Sequence, residues 1–325
     1  MGIYALAFVA FALDLARRGA RATVTAETPS AVARRAESAR AAEAGGGAGA
    51  GTTTMTRITK RVEDEVNWGR KQSTSLRVAF VLTTLGFVFH LVGDILRGVA
   101  AGRVPWANMW EFSMTGTLII IGVFLLVNIK YDLRFLGAFV TGLVLVLLGI
   151  AAVKYYVAVV PLPPALQSYW LVIHVMVAII GTAFFAIGFA LSVVQLLQSR
   201  RERQVEEGRP QQLRFLQTMP SATTLENLAY RTNIVAFILW TFTLIAGAIW
   251  AEKAWGRYWG WDTKEVWTFI IWVIYAGYIH ARATRGWRGS RSAWLAVVGF
   301  SAVMFNFGVV NVFFHGLHSY SGLGS

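Results

Sequence analysis

Three tryptophans and one aspartate lie within an eight-residue run between two long apolar segments: Trp255, Trp259, Trp261 and Asp262. Indole rings give a broad, rigid, apolar surface with N–H donors at its edge, which suits a large flat ligand. Tryptophans also gather at membrane–water interfaces, so an interfacial aromatic belt is the alternative explanation. The fixed order of Trp, Gly and acid favours a binding surface, because a belt does not require it.

Asp262 also begins the pattern Asp262-Thr263-Lys264-Glu265, which has the spacing of a capping box. In a capping box the first side chain accepts a backbone N–H, and the acid three residues later reaches back. We therefore predict that a helix begins after Asp262. A capped Asp262 would also hold the three indole rings in place.

The chain has five histidines, and two of them are placed to meet the tryptophans. His174 lies near the start of one apolar segment, and His318 lies just beyond the end of the last. A single histidine is more often a hydrogen-bonded structural residue than a ligand. Two neutral imidazoles on either side of a flat macrocycle, however, are what bis-histidine heme ligation requires. The sequence therefore predicts heme b between His174 and His318, with His315 as a substitute ligand.

His90 and His280 lie inside apolar segments, where an ionisable side chain is costly and indicates function. Counting along the predicted helices places His280 near one end of its span and His90 nearer the opposite end. A second, intramembrane heme held by both would therefore need a tilted or kinked helix.

The composition is that of an integral membrane protein, with 56% hydrophobic and only 14% charged residues in a chain of 325. Segments of about 20 apolar residues cross a bilayer as helices. We predict an all-α, polytopic transmembrane helical bundle with seven spans, or eight if residues 1–16 form an N-terminal transmembrane helix. The seven are 76–96, 112–129, 133–153, 169–197, 230–250, 265–281 and 294–314.

The basic residues predict how the spans are oriented. Alternate polar segments hold 24 of the 30 Lys and Arg residues, which places those segments in the cytoplasm of a cell and the tryptophan-rich loop 251–265 outside. The net charge of +13 follows from this topology, so nucleic-acid binding is not expected. Residues 17–75, rich in Ala, Arg, Glu, Gly and Thr, are predicted to be a largely disordered cytoplasmic linker before the bundle of 76–325.

Two chemistries are excluded for this polypeptide alone. Because it has no cysteine, it forms no disulfide, thiolate metal site or thiol redox couple. It also lacks a G-x-x-x-x-G-K-[ST] phosphate-binding loop, so nothing indicates ATP hydrolysis.

The run W-G-x-x-W-x-W-D-x-K-E at 255–265 resembles the WWD signature of heme-handling proteins. From about residue 76 to the C-terminus, the chain resembles the CcsA/ResC family of System II cytochrome c biogenesis. Further matches are Gly102-x-x-Pro105-x-x-Asn108-x-x-Glu111, Tyr169-Trp170-x-x-x-His174, Tyr278-x-His280-Ala281-Arg282 and Gly316-Leu317-His318-Ser319-Tyr320.

This resemblance implies that heme reaches the outer face, where the WWD loop, His174 and His318 hold it. It also implies that His280, and less directly His90, ligate a transmembrane heme. The resemblance further implies that the protein and a ResB-type membrane partner are components of a cytochrome c heme lyase. The acceptor is an apocytochrome c with a Cys-x-x-Cys-His motif, whose thiols other proteins keep reduced.

Two other function classes remain open from the sequence. An intramembrane heme electron carrier would hold heme between histidines on facing helices at matched depth. A transporter for another amphipathic molecule could use the tryptophan-rich loop as a receptor surface, although the chain shows no internal repeats.

Overall fold

The chain forms a bundle of long helices in the computed structural model, which describes residues 1–26, 73–159, 161–162, 166–210, 213–284, 287–314 and 316–318. No strand occurs in these ranges, which confirms the all-α prediction. The longer helices are α1 (Gly2–Ala26), α2 (Thr74–Ala101), α3 (Met109–Lys130), α4 (Gly137–Lys154), α5 (Tyr169–Glu206), α6 (Ala222–Trp255), α7 (Thr263–Ala283) and α8 (Ser290–Phe305). Helix α8 continues through a π-helical turn, Asn306–Val310, into Asn311–Phe313.

Six helices in the described ranges, namely α2 to α6 and α8, are long and apolar enough to cross a membrane. Helix α7 connects the end of α6 to the start of α8. It must cross as well, because the start of α8 packs beside the start of α6, at the opposite end of the bundle. The predicted polytopic helical membrane bundle is therefore confirmed. Helix α1, with 25 residues, packs against α2 and α4.

Several helices extend beyond the predicted spans because local signals, and not hydropathy, set their ends. Helix α6 starts after Ser221, whose hydroxyl accepts the N–H of Thr224 at 3.3 Å, eight residues before the predicted start. It ends at Gly256, which adopts a left-handed φ of 72°. Trp255 therefore lies on a helix, and the connecting loop is 256–262. Helix α1 likewise continues to Ala26, and residues 27–72 of the predicted linker lie outside the described ranges.

The centre of the bundle is held by close packing of α5 against its neighbours. The Phe185 ring stacks on Tyr275 of α7 with centroids 3.7 Å apart, and both side chains are fully buried. Gly188 faces Asn233 of α6 so closely that a Cβ would come within 2.2 Å of its Oδ1. Small residues and polar contacts matter here because lipid gives helices no hydrophobic reason to associate.

A buried carboxylate ties α6, α7 and α8 together at the end of the bundle opposite loop 256–262. Glu226 accepts hydrogen bonds from Arg282 Nε at 3.0 Å, the Gly289 N–H at 3.0 Å and Ser292 Oγ at 3.3 Å. The Arg282 guanidinium also lies 4.1 Å from the centroid of the Tyr230 ring. The position of α7 is therefore fixed by an ion pair that water hardly reaches.

We expect Glu226→Ala to destabilise the bundle strongly, because removing one partner leaves the Arg282 charge buried without compensation. Breaking a buried pair costs about 3–5 kcal/mol of unfolding free energy, which lowers the thermal midpoint by roughly 10 °C. Heating the detergent-solubilised protein and following its elution on size-exclusion chromatography measures this. The matched control is Glu207→Ala, which removes the exposed pair with Arg209 and should cost at most about 1 kcal/mol. Equal midpoints for the two variants would contradict the assignment.

Candidate functional site

A cavity of about 400 Å³ lies at the end of the bundle that carries loop 256–262, which we call the site end. Its walls come from α3 to α8 and are mostly apolar, with side chains such as Met109, Phe112 and Leu171. His174 and His318 both line it. Two histidines that are 144 positions apart in sequence thus border one space.

His174 lies on α5. Ser168 caps the start of this helix, because its hydroxyl accepts the Trp170 N–H at 3.2 Å. The Nδ1 of His174 lies 3.0 Å from the carbonyl oxygen of Thr243 on α6. Because a carbonyl can only accept, Nδ1 carries the proton and Nε2 is the basic nitrogen. Gly247 allows this approach, since a Cβ there would come within 2.8 Å of the imidazole Cε1.

His318 is held by the loop that starts α7. Its Nδ1 donates to Asp262 Oδ2 at 2.5 Å, and its ring contacts Trp255 edge-on with centroids 4.8 Å apart. Gly316 packs against the same carboxylate so closely that a Cβ would overlap it. The segment 316–318 therefore docks on Asp262, and the second nitrogen of His318 has no hydrogen-bond partner within the described part of the chain.

Asp262 caps α7, as the sequence predicts, and holds His318 at the same time. The capping box is complete, because Glu265 Oε2 accepts the Asp262 N–H at 3.1 Å and the Gly260 N–H at 2.8 Å. The hydrogen bond from His318 lowers the pKa of the Asp262 carboxyl below its usual value. Asp262 is therefore ionised throughout the neutral pH range.

Trp250 is the aromatic side chain that touches both imidazoles. It stacks on His174 at 9° between planes and 5.9 Å between centroids, and it contacts His318 edge-on at 5.5 Å. Trp250 lies in an apolar run typical of a membrane span, so hydropathy alone gives it no functional role. The available signal was its position five residues before Trp255 on the same helix.

The three predicted tryptophans do not form one surface. Trp255 contacts Trp250 and His318, whereas Trp259 and Trp261 pack against each other with centroids 5.9 Å apart. Trp261 is 78% exposed and takes a positive φ of 58°, and Trp259 is half-buried. None of the three tryptophans is among the residues that line the cavity; Trp255 reaches the site through its contact with His318.

His90 and His280 lie away from the cavity, in different surroundings. His90 on α2 is half-buried, with Nδ1 3.4 Å from the Tyr4 hydroxyl of α1. His280 is exposed near the far end of α7, two residues before Arg282. No hydrogen bond or ring contact joins them in the described ranges, and a heme held by both stays a prediction.

The segment between α2 and α3 is fixed by Glu111, which is completely buried. Its carboxylate accepts from Arg103 Nη1 at 2.7 Å, from Arg97 Nε at 3.1 Å and from the Ala107 N–H at 2.9 Å. Asn108 caps α3 by accepting the Glu111 N–H at 2.9 Å. The motif Gly102-x-x-Pro105-x-x-Asn108-x-x-Glu111 is thus held so that Trp106, Asn108 and Met109 line the cavity.

Lys264 joins α7 to the deformed end of α8. Its Nζ donates to Asn311 Oδ1 at 2.5 Å and approaches the Asn306 carbonyl oxygen at 3.4 Å. Asn306 begins the π-helical turn, and such turns often mark functional sites because they release backbone groups from the helix. In the sequence Lys264 is only one position of the motif at 255–265, whereas in the structure it lies in the cavity wall.

This arrangement can hold iron in a planar macrocycle. Each imidazole engages an oxygen through Nδ1, which is the usual way a protein orients a histidine ligand. In such a complex the other nitrogen of each ring would be the ligating atom, and two such nitrogens would supply the two axial ligands that a macrocycle leaves open. Apolar and aromatic walls suit the faces of the ring.

The family model and the similar proteins all point to cytochrome c biogenesis. The model of the cytochrome c assembly protein family matches residues 106–318, and so ends at His318. The cytochrome c biogenesis protein CcsA of Prochlorococcus marinus is 33% identical over 276 residues, covering 78% of this chain and 87% of the relative. CcsA of Guillardia theta is 35% identical over 242 residues, covering 70% and 80%. CcsA of Synechococcus elongatus is 36% identical over 263 residues, covering 69% and 81%.

Among solved structures, the cytochrome c heme lyase CcmF resembles this chain with a TM-score of 0.55 and 17% identity. The match covers 81% of this chain and 47% of that one. At this identity the likeness shows a shared fold alone.

We expect Asp262→Asn to loosen the segment 316–318, because the imidazole then loses a charged acceptor. A hydrogen bond to a charged group contributes about 1.5–3 kcal/mol, so removal of a C-terminal epitope by chymotrypsin should be about tenfold faster or more. Glu252→Gln, which neutralises the carboxylate of the surface pair with Lys253, is the matched control. An unchanged cleavage rate in Asp262→Asn would refute the docking role of Asp262.

Proposed function

Because this chain belongs to the cytochrome c assembly protein family and takes part in cytochrome c biogenesis, we propose that it binds heme b between His174 and His318. It presents this heme for covalent attachment to an apocytochrome c. Heme is here a substrate that passes through the site. The chain would act as one component of a cytochrome c heme lyase.

One observation carries the proposal: two imidazoles border the same mostly apolar cavity, and each uses Nδ1 for a protein oxygen. Both rings are thereby fixed with the opposite nitrogen available as a ligand. A site for a polar metabolite would instead be expected to carry more polar groups in its walls.

The two ligands differ in their partners. His318 donates to a carboxylate, which makes its imidazole the more basic ligand, whereas His174 donates to a neutral carbonyl. Ligation by both would keep the iron six-coordinate and so protect it from unwanted oxidation chemistry. Trp250 and Trp255 hold the rings in position through direct contact.

The catalytic contribution of the chain would be mainly positioning. Bound heme supplies two vinyl groups, and a cysteine thiol of the apocytochrome adds across each vinyl double bond. The thiols come from the Cys-x-x-Cys-His motif of the apocytochrome, kept reduced by other proteins, because this chain has no cysteine. A ResB-type membrane partner would complete the assembly.

We place the site end on the outer side of a cell membrane. The distribution of basic residues supports this orientation, since the connections at the other end carry most of them. His280 and His90 remain the prediction for an intramembrane heme that precedes the outer site.

Purified wild-type protein should show the absorption spectrum of a six-coordinate b-type heme and a positive pyridine hemochrome assay. We expect the double variant His174→Ala, His318→Ala to lose most of the heme bound in the cavity, because both proposed axial ligands are gone. The comparison variant is His90→Ala, His280→Ala, which should keep the heme of the cavity and lose any heme of the predicted intramembrane site.

If the variant His174→Ala, His318→Ala binds as much heme as the wild-type protein, the cavity site is refuted and His90 and His280 become the candidate ligands. Absence of heme from the wild-type protein would overturn heme binding and favour a receptor or transporter for another amphipathic molecule.

The orientation has its own test, because a chain without cysteine allows single cysteines to be introduced one at a time. Tyr258 is 63% exposed in loop 256–262, and the Arg209 side chain is 71% exposed at the other end. In intact spheroplasts a membrane-impermeant maleimide should label Tyr258→Cys, and should label Arg209→Cys only after permeabilisation. The reverse pattern would place the site end in the cytoplasm.

A further inference from the structure

The cavity contains a cation, Lys264, that forms no ion pair within the described ranges; the nearby carboxylate of Asp262 is hydrogen-bonded to His318 and does not line the cavity. Lys264 is the only charged residue among the described residues that line it. Its Nζ contacts the Asn311 side-chain oxygen and the Asn306 carbonyl oxygen, both of which are neutral. A positive charge beside mostly apolar walls is costly unless an anion accompanies it.

Two hydrogen-bond donors in the same walls have no partner within the described part of the protein: Asn108 Nδ2 and Trp106 Nε1. Asn108 is only 4% exposed, and its oxygen is already used to cap α3. The buried Glu111 network holds this segment in place, so neither donor can easily turn to water. A buried donor without an acceptor is unfavourable, and a ligand oxygen would remove that cost.

The cavity therefore has an excess of donors over acceptors. Against one cation and two unpaired N–H groups, the described lining offers one buried side-chain oxygen without a partner, Asn306 Oδ1, once the two imidazole Nε2 atoms are assigned to the iron. A group with several acceptor oxygens and a negative charge, such as a carboxylate, matches this set. A hydroxyl or an amide would leave the Lys264 charge uncompensated.

We propose that Lys264, Asn108 and Trp106 bind the carboxylate substituents of the macrocycle, the heme propionates. This inference rests on the proposed function and deepens it. Axial ligation by His174 and His318 fixes the iron but leaves the ring able to rotate about the axis through the two nitrogens. Donors in the cavity wall remove that freedom, because they hold the carboxylate edge and so direct the vinyl substituents away from Lys264.

The test compares two ligands that differ only at the carboxylates: iron protoporphyrin IX and its dimethyl ester. Each is titrated into heme-free full-length protein in detergent, and the Soret band gives affinity and ligation. We expect the wild-type protein to ligate both through two imidazoles but to bind the diacid about tenfold more tightly or better. Lys264→Met should lower diacid affinity by about tenfold and leave ester affinity nearly unchanged.

Asn108→Asp is a second variant, which should weaken binding of the diacid alone. Aspartate caps a helix as well as asparagine does, so α3 should be retained, while the unpaired N–H is replaced by an oxygen that repels a carboxylate. Diacid affinity should fall and ester affinity should not. Lys253→Met, which removes an exposed lysine at the same end of the bundle, should behave as wild type.

Asn311→Ala separates ligand binding from a structural role of Lys264. It removes the same intramolecular hydrogen bond but keeps the cation. A purely structural role predicts equal losses in Asn311→Ala and Lys264→Met, for both ligands, and that result would overturn the inference. Retention of the diacid preference in Asn311→Ala, with its loss in Lys264→Met, supports it.

The two proposals fail in different ways. Wild-type protein that binds neither macrocycle would refute heme binding itself. Wild-type protein that binds diacid and diester equally, through two imidazoles, would leave the proposed function standing and refute the carboxylate subsite.

Discussion

The site end depends on one carboxylate that serves two distant parts of the chain. Asp262 completes the capping box of α7 and accepts the hydrogen bond of His318, 56 positions later in the chain. The first interaction fixes loop 256–262, because Glu265 reaches back to its backbone. The second fixes the segment beyond α8. Both side chains are largely buried, and their hydrogen bond places one of the two cavity imidazoles directly.

Buried carboxylates fix the other elements in the same manner. Glu111 gathers two arginines and a backbone N–H at the site end, and Glu226 gathers Arg282, Ser292 and a backbone N–H at the opposite end. Lipid gives helices no hydrophobic force for association, so polar contacts and close packing decide which helix lies where. Residues in conspicuous motifs can therefore be structural, as Arg282 is here beside His280.

The cavity combines apolar walls with a small number of directed polar groups. His174 and His318 are oriented by oxygens outside the ring they would ligate, and Trp250 touches both imidazoles. Lys264 adds the only charge of the described lining. Such a wall would exclude water from a bound iron and would hold one edge of the proposed macrocycle. Trp259 and Trp261, in contrast, lie outside the cavity, where another macromolecule could reach them.

Hydropathy, short-range spacing and motif order are local properties of a sequence, and they suffice to predict the membrane class, the all-α fold, the cap at Asp262 and the family. The sequence also drew attention to His174 and His318. Packing in three dimensions brings both imidazoles to one cavity, lays Trp250 against both and separates Trp255 from Trp259 and Trp261. The caps at Ser221 and Gly256 set the two ends of α6. Packing between helices that are far apart in sequence then determines which side chains meet. Hydropathy predicts neither the helix ends nor these contacts, since it averages over all sides of a helix.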